Sequence, residues 1–562
     1  MKKDYLKVME IVVSAYTEER IQSYISKIEQ EGITEHGFPR LAANIGILIA
    51  HGRKTELRKY FETMMEFCIT QIPQQNIPFI NKGNDFSVRE IVFAIVELEK
   101  SGIYDKETIQ IWRDAMALIV PEKCYSVIAP TPPTAVNNWG AFNAVSEQAR
   151  KWASIADTTP YIENQIESQL LSFDEAGMYR DPNEPMVYDL VTRNLMAAML
   201  YLGYEGRWKQ RLESILESVA DKEFLMQSVN GELPYGGRSN SFIHNEAHMA
   251  ICFEYIASTR KKKGDTVGAS KAKAAANLAL ENIKLWLRQN PDHHIKNYYP
   301  TESKIGCEKY AYYDKYMVTV ASFLYLAYLF CDDSIEPSNC PASDTSAYSW
   351  TTTEHFHKLF LKADSYFVEM DWNADPHYDA SGIGRIQRRD APSAICLSLP
   401  VSKKPSYSTG KENPTGLSIC AGIKIDGKWA FALDKDAIYS IPTHHAASDN
   451  AHAEWECSIA QKHTIRQQCR VSSNGISISA CSNAETAIMI PVFQFDGANR
   501  TKTSHSEKEI SVVYRGWICR YTTNGKFEDI GQTCVNRNGE YQVFHAANDK
   551  SVEVKVTIYR LE

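Results

Sequence analysis

The chain has 562 residues, 44% of them hydrophobic and 23% charged, with a formal net charge of −8. This is ordinary globular usage in a chain long enough for two or three domains, and the mild acidity points away from a nucleic-acid partner, with no basic run beyond Arg260-Lys261-Lys262-Lys263. No apolar stretch reaches the roughly 18 to 20 residues needed to cross a bilayer, and Met1-Lys2-Lys3-Asp4-Tyr5 leads into an amphipathic helix, so no membrane partner and a cytoplasmic location are expected. The 13 cysteines show no CxxC pair, and an odd number argues for reduced thiols over a disulfide framework.

In chain order, strongly apolar helical segments begin near Arg40, Val88, Asn138, Val187, His244 and Tyr312. Amphipathic stretches alternate with them at 57–72, 106–120, 161–173, 208–220 and 266–289. Six buried helices with an outer layer predict a closed (α/α)6-type toroid over 1–335. The Pro/Ser-rich run 336–350, carrying Pro337 and Pro341, predicts a linker. Beyond it the apolar period falls to two at 366–370, 394–399, 429–433, 476–480 and 552–558, with Asp426-Gly427, Asn474-Gly475, Asn524-Gly525 and Asn538-Gly539 as turn signals. The segment 351–562 therefore reads as an antiparallel β-sandwich of two packed sheets, with Gly382–Arg385 and Pro442–His445 as polar loops.

Polar and aromatic residues gather where the inner helices start, at what becomes one mouth of the ring. They are Asn137-Asn138-Trp139, Tyr188-Asp189 with Arg193, Arg238 through His248, and Lys309 through Tyr316. Aromatic faces cover sugar rings, while amide and guanidinium groups meet hydroxyls and carboxylates, so an acidic oligosaccharide or polysaccharide is the expected partner. The order of domains and these mouth residues resemble the toroid-plus-sandwich polysaccharide lyases, the group of heparinase-like, chondroitin and alginate lyases. The stretch Leu233-Pro-Tyr-Gly-Gly-Arg-Ser-Asn-Ser-Phe-Ile-His-Asn-Glu-Ala247, with Asn137-Asn138-Trp139, looks most like polysaccharide lyase family 27. That resemblance implies rhamnose–glucuronate lyase activity: β-elimination to a 4,5-unsaturated uronate, with no obligatory redox cofactor.

Such chemistry needs a neutralised carboxylate, a base for the C5 proton and an acid for the departing O4. Asn138 is expected at a helix N-cap, where its amide either caps or meets the uronate; Trp139 either packs or stacks on sugar. Arg238 follows Gly236-Gly237 and suits a bidentate carboxylate contact, the alternative being an ion pair to an acid such as Glu246. His244 and His248 share a helix face at i and i+4, with Asn245 and Glu246 between them; a zinc reading fails for want of a third ligand, although a structural divalent metal stays open. His244, Tyr313, Tyr188 and Tyr235 are the proton-transfer candidates, and Asn138, Trp139, Arg238, Asn245, Glu246, His248, Arg193 and His445 the substrate-binding ones. The competing reading is an inverting hydrolase using Asp189, Glu246 and Asp314, or a carbohydrate-binding protein without turnover.

Overall fold

A computed structural model describes residues 1–74, 84–125, 137–289, 293–311, 313–433, 437–459 and 463–561; the side chains of 84, 289, 313 and 314 are outside that description. The first half is helical: α1 (Lys2–Ser14), α2 (Glu18–Glu31), α3 (Gly37–Ala50), α4 (Arg58–Gln71), α5 (Val88–Ser101), α6 (Lys106–Ala117), α7 (Pro121–Cys124), α8 (Asn138–Trp152), α9 (Thr159–Leu170), α10 (Met186–Tyr201), α11 (Lys209–Met226), α12 (His244–Lys262), α13 (Thr266–Gln289) and α14 (Tyr313–Phe330). The inner helices α3, α5, α8, α10, α12 and α14 pack one on the next, and α14 returns to α3, closing the ring. They are buried around nearly their whole circumference: α3 buries every residue from Gly37 to Ile49. The outer helices α4, α6, α9, α11 and α13 each cover the inner helix before them, while α1 lies over α14 and α3. Their boundaries follow local chemistry. Asp105 caps α6 by accepting the Thr108 N–H at 2.7 Å, and Gly102 ends α5 in the left-handed region at φ 68°.

Strands begin at Tyr348 and run to Arg560. A nine-stranded antiparallel sheet forms one layer, and a four-stranded meander (348–388) beside a five-stranded sheet centred on Thr486–Phe495 forms the other. The expected two-layer sandwich is thus built from three sheets, its second layer interrupted. The segment 394–399 is not a strand: Ser393–Ile395 is a 3-10 turn and Leu397 makes only an isolated bridge to Ile386. Gly382–Arg385, expected as a polar loop, belongs to the strand Gly382–Arg388, buried through six of its seven residues, and most of the expected loop Pro442–His445 lies in the exposed edge strand Thr443–Ala446. Gly427 and Gly475 take the positive φ expected of them (77° and 128°); Gly525 and Gly539 do not. Those two are instead needed for close approach, since a Cβ there would stand 2.2 Å from the Ala547 and Phe495 carbonyl oxygens.

Phe356, Phe360 and Phe367 of the meander join the helical core, so the two halves share apolar packing. Among the described residues no disulfide is formed, and no described helix is long and apolar enough to cross a membrane.

Candidate active site

The mouth is organised by a carboxylate outside the predicted set. Buried Asp181 accepts the N–H of Asn138 at 2.8 Å, at the start of α8, and forms an ion pair with Arg238. A carboxylate there also answers the partial positive charge of the helix N-terminus. Burial pushes its pKa up, opposed by Arg238 and Asn138. Asn137, not Asn138, is the N-cap: its extended backbone lets its side chain accept the Trp139 N–H at 3.0 Å, which leaves Asn138 as the first helical residue.

Arg238 donates to the Pro182 carbonyl at 2.6 Å and lies 4.4 Å over the Tyr188 ring. From Tyr188 a chain of hydroxyls runs outward, Oη to Ser239 Oγ at 3.0 Å and on to Tyr310 Oη at 2.9 Å. Tyr310 is 36% exposed, so the chain ends at an open surface; Trp139, at the start of α8, is exposed to the same extent. Burial raises the Tyr188 and Tyr310 phenols above the ordinary value, and the Arg238 cation pulls Tyr188 back. Below lies an aromatic floor. Tyr316 stacks on His244 (5.6 Å, 29°), with His36 and His294 at 5.8 and 6.1 Å, and Arg40 and Arg89 both pair with Glu90. Burial, with Arg40 and Lys296 nearby, lowers His244 to about 3, so its imidazole is neutral at any working pH.

The 228–243 loop holds these groups through bonds to the β domain. Gly236 and Gly237 have φ 140° and 76°, and a Cβ on Gly237 would stand 2.7 Å from Pro185 Cβ. Ser239 and Ser241 take left-handed backbone without being glycine, at φ 58° and 60°. Carboxylates fix the strained turn: Asp379 accepts the Gly237 N–H at 2.8 Å and Glu308 the Ser239 N–H at 2.7 Å. Glu308 is in turn held by Arg537 of the β domain at 2.8 and 2.9 Å.

Burial raises Asp379 to about 7 against the opposing pull of Lys358 and Gly237 N–H. The unfolded chain, near 4 for an aspartate, therefore releases its proton first as pH rises. Below about pH 4 both states are protonated and nothing changes; between there and 7 the folded state loses stability. Asp379→Asn keeps an acceptor for Gly237 and should gain stability relative to the parent across that window, read as the difference between two urea-midpoint curves against pH.

Several expected residues stand elsewhere. Tyr235 is fully buried between the halves, with Lys358 Nζ 3.6 Å from its ring centroid and its N–H on Glu369 at 2.9 Å. Arg193 is buried in an ion network with Asp189 and Glu223 at 2.5 and 2.7 Å. Asn245 secures the loop by donating to the Ser239 carbonyl at 3.1 Å and accepting the Phe242 N–H at 2.6 Å. Glu246 pairs with Lys296 at 2.6 Å, so the partner foreseen for Arg238 is Asp181 instead. His248 is buried against Phe323 at 3.9 Å. His445 sits on the edge strand with His452 at 5.0 Å, and no described contact links it to the mouth. Tyr313 and Asp314 have side chains outside the described residues. Asp189 and Glu246, the carboxylates of the hydrolase reading, are thus both buried in ion pairs. Among the described residues no three His, Cys, Asp or Glu side chains gather to hold a metal ion.

Asp181, Ser239, Glu308, Tyr310 and Arg537 are what residue-type reasoning missed or left unranked. Polar residues next to glycine or proline, as in Asp181-Pro182 and Asn536-Arg537-Asn538-Gly539, were the available signal.

No family model and no curated protein matches the chain. Among solved structures it is similar to a heparinase III at 8% identity and TM-score 0.38, covering 84% of this chain and 77% of that one. A heparan sulfate lyase from Pedobacter heparinus matches at 9% identity and TM-score 0.30, covering all of this chain and 93% of that one. A glycosyl hydrolase of family 88 from Bacteroides vulgatus matches at 12% identity and TM-score 0.39, over 58% of this chain and 98% of that one. The functional reading therefore rests on side chains.

Proposed function

We propose that this protein is a lyase that breaks a glycosidic bond to a uronic acid, glucuronate in the first instance and in a rhamnose-capped context, by β-elimination. The observation that carries the reading is the hydroxyl chain Tyr188–Ser239–Tyr310 lying under a guanidinium and ending at solvent. Arg238 has donors beyond the two that meet Pro182 and Asp181, and these suit the uronate carboxylate, with the Asn138 amide beside them. Neutralising that carboxylate acidifies C5–H. Tyr188, as phenolate under Arg238, takes the C5 proton; the C5–H electrons become the C4=C5 double bond, the C4–O4 bond breaks, and Tyr310 gives its proton to O4. Tyr188 then carries a proton and Tyr310 lacks one. The Ser239 hydroxyl between them returns it, restoring both groups without a redox partner.

His244 acts in this scheme as a neutral platform under Tyr316, since a group held near 3 is too weak a base for the step. The test is incubation with glucuronate-containing oligosaccharides while following the ultraviolet band of a conjugated unsaturated uronate. Release of reducing ends without that band would establish hydrolysis and remove the elimination reading. With an active substrate in hand, Trp139→Ala should raise KM about tenfold, equivalent to about 1.4 kcal/mol, with a much smaller change in kcat, as expected of a ring that binds sugar without taking part in proton transfer.

A further inference from the structure

A cavity of about 480 Å³ lies on the other side of the loop that carries Arg238, between the α12–α13 wall and the β domain. Arg238 and Ser239 face the mouth, while Asn240, Ser241, Asn245 and Glu246 face this cavity. Its volume falls in the range of small-ligand sites, about 300 to 1,000 Å³.

Three of its buried polar atoms have no partner: Glu246 Oε2, Asn282 Oδ1 and Asn240 Nδ2, on residues 0%, 6% and 5% exposed. Such atoms cost free energy unless something occupies them. Two are acceptors and one is a donor, so the complement is a molecule rich in O–H groups. Three ion pairs line the wall, Glu246–Lys296 at 2.6 Å, Glu232–Arg385 at 3.6 Å and Asp496–Arg515 at 3.2 Å, and the remaining Glu281, Asp390 and Arg288 leave it close to neutral, which favours an uncharged occupant. At the entrance Trp286 and Tyr298 stand 5.4 Å apart, with Trp517 also lining the opening, and offer an apolar wall to one face of a flat ring.

We infer that this cavity is a second saccharide site, separate from the mouth, that takes a neutral, polyhydroxylated sugar residue through Glu246, Asn282, Asn240 and Trp286. It would hold an uncharged part of a glycan while the mouth handles an acidic one. The inference stands whether or not the elimination reading does, because sugar binding and uronate turnover are measured separately.

The test titrates cellotriose and maltotriose, two neutral glucose trimers, into the full chain by calorimetry. Saturable binding of at least one trimer is expected, weakened tenfold or more by Trp286→Ala and by Asn282→Ala and unchanged by Arg238→Ala. Should Asn282→Ala unfold, Trp517→Ala at the entrance serves in its place and is expected to weaken binding in the same direction. Absence of saturable binding for both trimers overturns the inference. So does binding that survives both Trp286→Ala and Trp517→Ala, or binding that Arg238→Ala abolishes.

Discussion

Tyr188→Phe is expected to lower kcat by about 10²- to 10⁴-fold, the range for loss of a positioned acid–base group. The fold should survive it: the substitution removes one hydroxyl bonded to Ser239 Oγ, and a hydrogen bond of that kind contributes about 1 kcal/mol. The ring stays, and with it the seat for Arg238 at 4.4 Å. A pH profile separates this role from a packing role. Burial places the Tyr188 phenol above its ordinary value, so the reactive phenolate is a minor species near neutrality, and kcat/KM of the parent should climb with pH toward the alkaline side. Arg238→Ala removes the cation that opposes that rise and should move the climb to still higher pH while also raising KM. Tyr188→Phe should flatten it. Nothing in the profile between pH 5 and 8 should report His244, whose imidazole is already neutral there. An inflection in that window that disappears in His244→Gln would transfer the proton-accepting role to the histidine.

The ring of helices was readable because burial on all sides leaves a period in the chain. The six inner segments expected near Arg40, Val88, Asn138, Val187, His244 and Tyr312 begin at Gly37, Val88, Asn138, Met186, His244 and Tyr313. The residues proposed for the site were legible where they sit at or shortly before those helix starts. Tyr188, Arg238, Trp139 and Asn138 were expected there, and Asp181 binds the last of these to Arg238. What sequence could not supply is pairing across long separations: Glu308 meets Arg537 229 residues away, and Tyr310 meets Ser239 71 residues away. Type alone also misled. Arg193 has the chemistry of a sugar site, but it is buried between Asp189 and Glu223, and a paired buried ion has no remaining need for a ligand; Glu246, paired through one oxygen with Lys296, faces the cavity behind the loop and not the mouth. Tyr235 lies three residues from Arg238 and still faces the domain junction, because the Gly236-Gly237 backbone reverses direction between them.

Arg537→Ala should strike stability and activity together. Arg537 and Glu308 are 2% and 3% exposed and bond through two guanidinium nitrogens at 2.8 and 2.9 Å, so removing the cation leaves a buried carboxylate unpaired, at a cost of about 3 to 5 kcal/mol. Further contacts go with it: the donor to the Gly306 carbonyl at 2.6 Å and the guanidinium 3.9 Å from the Tyr407 ring. The loss lies at the junction, since Glu308 belongs to the helical half and Arg537 to the sheets, so heating should show the two halves melting less cooperatively than in the parent. Activity should fall because Glu308 also accepts the Ser239 N–H at 2.7 Å, and Ser239 holds its left-handed backbone at φ 58° only while that bond is made. A Ser239 that relaxes no longer bridges Tyr188 to Tyr310, and the proton cannot return between turnovers. Arg537→Lys supplies the decisive comparison: it restores the charge without the paired donors, so calorimetry should recover part of the stability while kcat stays low. A lysine variant with full kcat would mean that charge alone, and not the two-pronged grip on Glu308, sets the geometry of the hydroxyl chain.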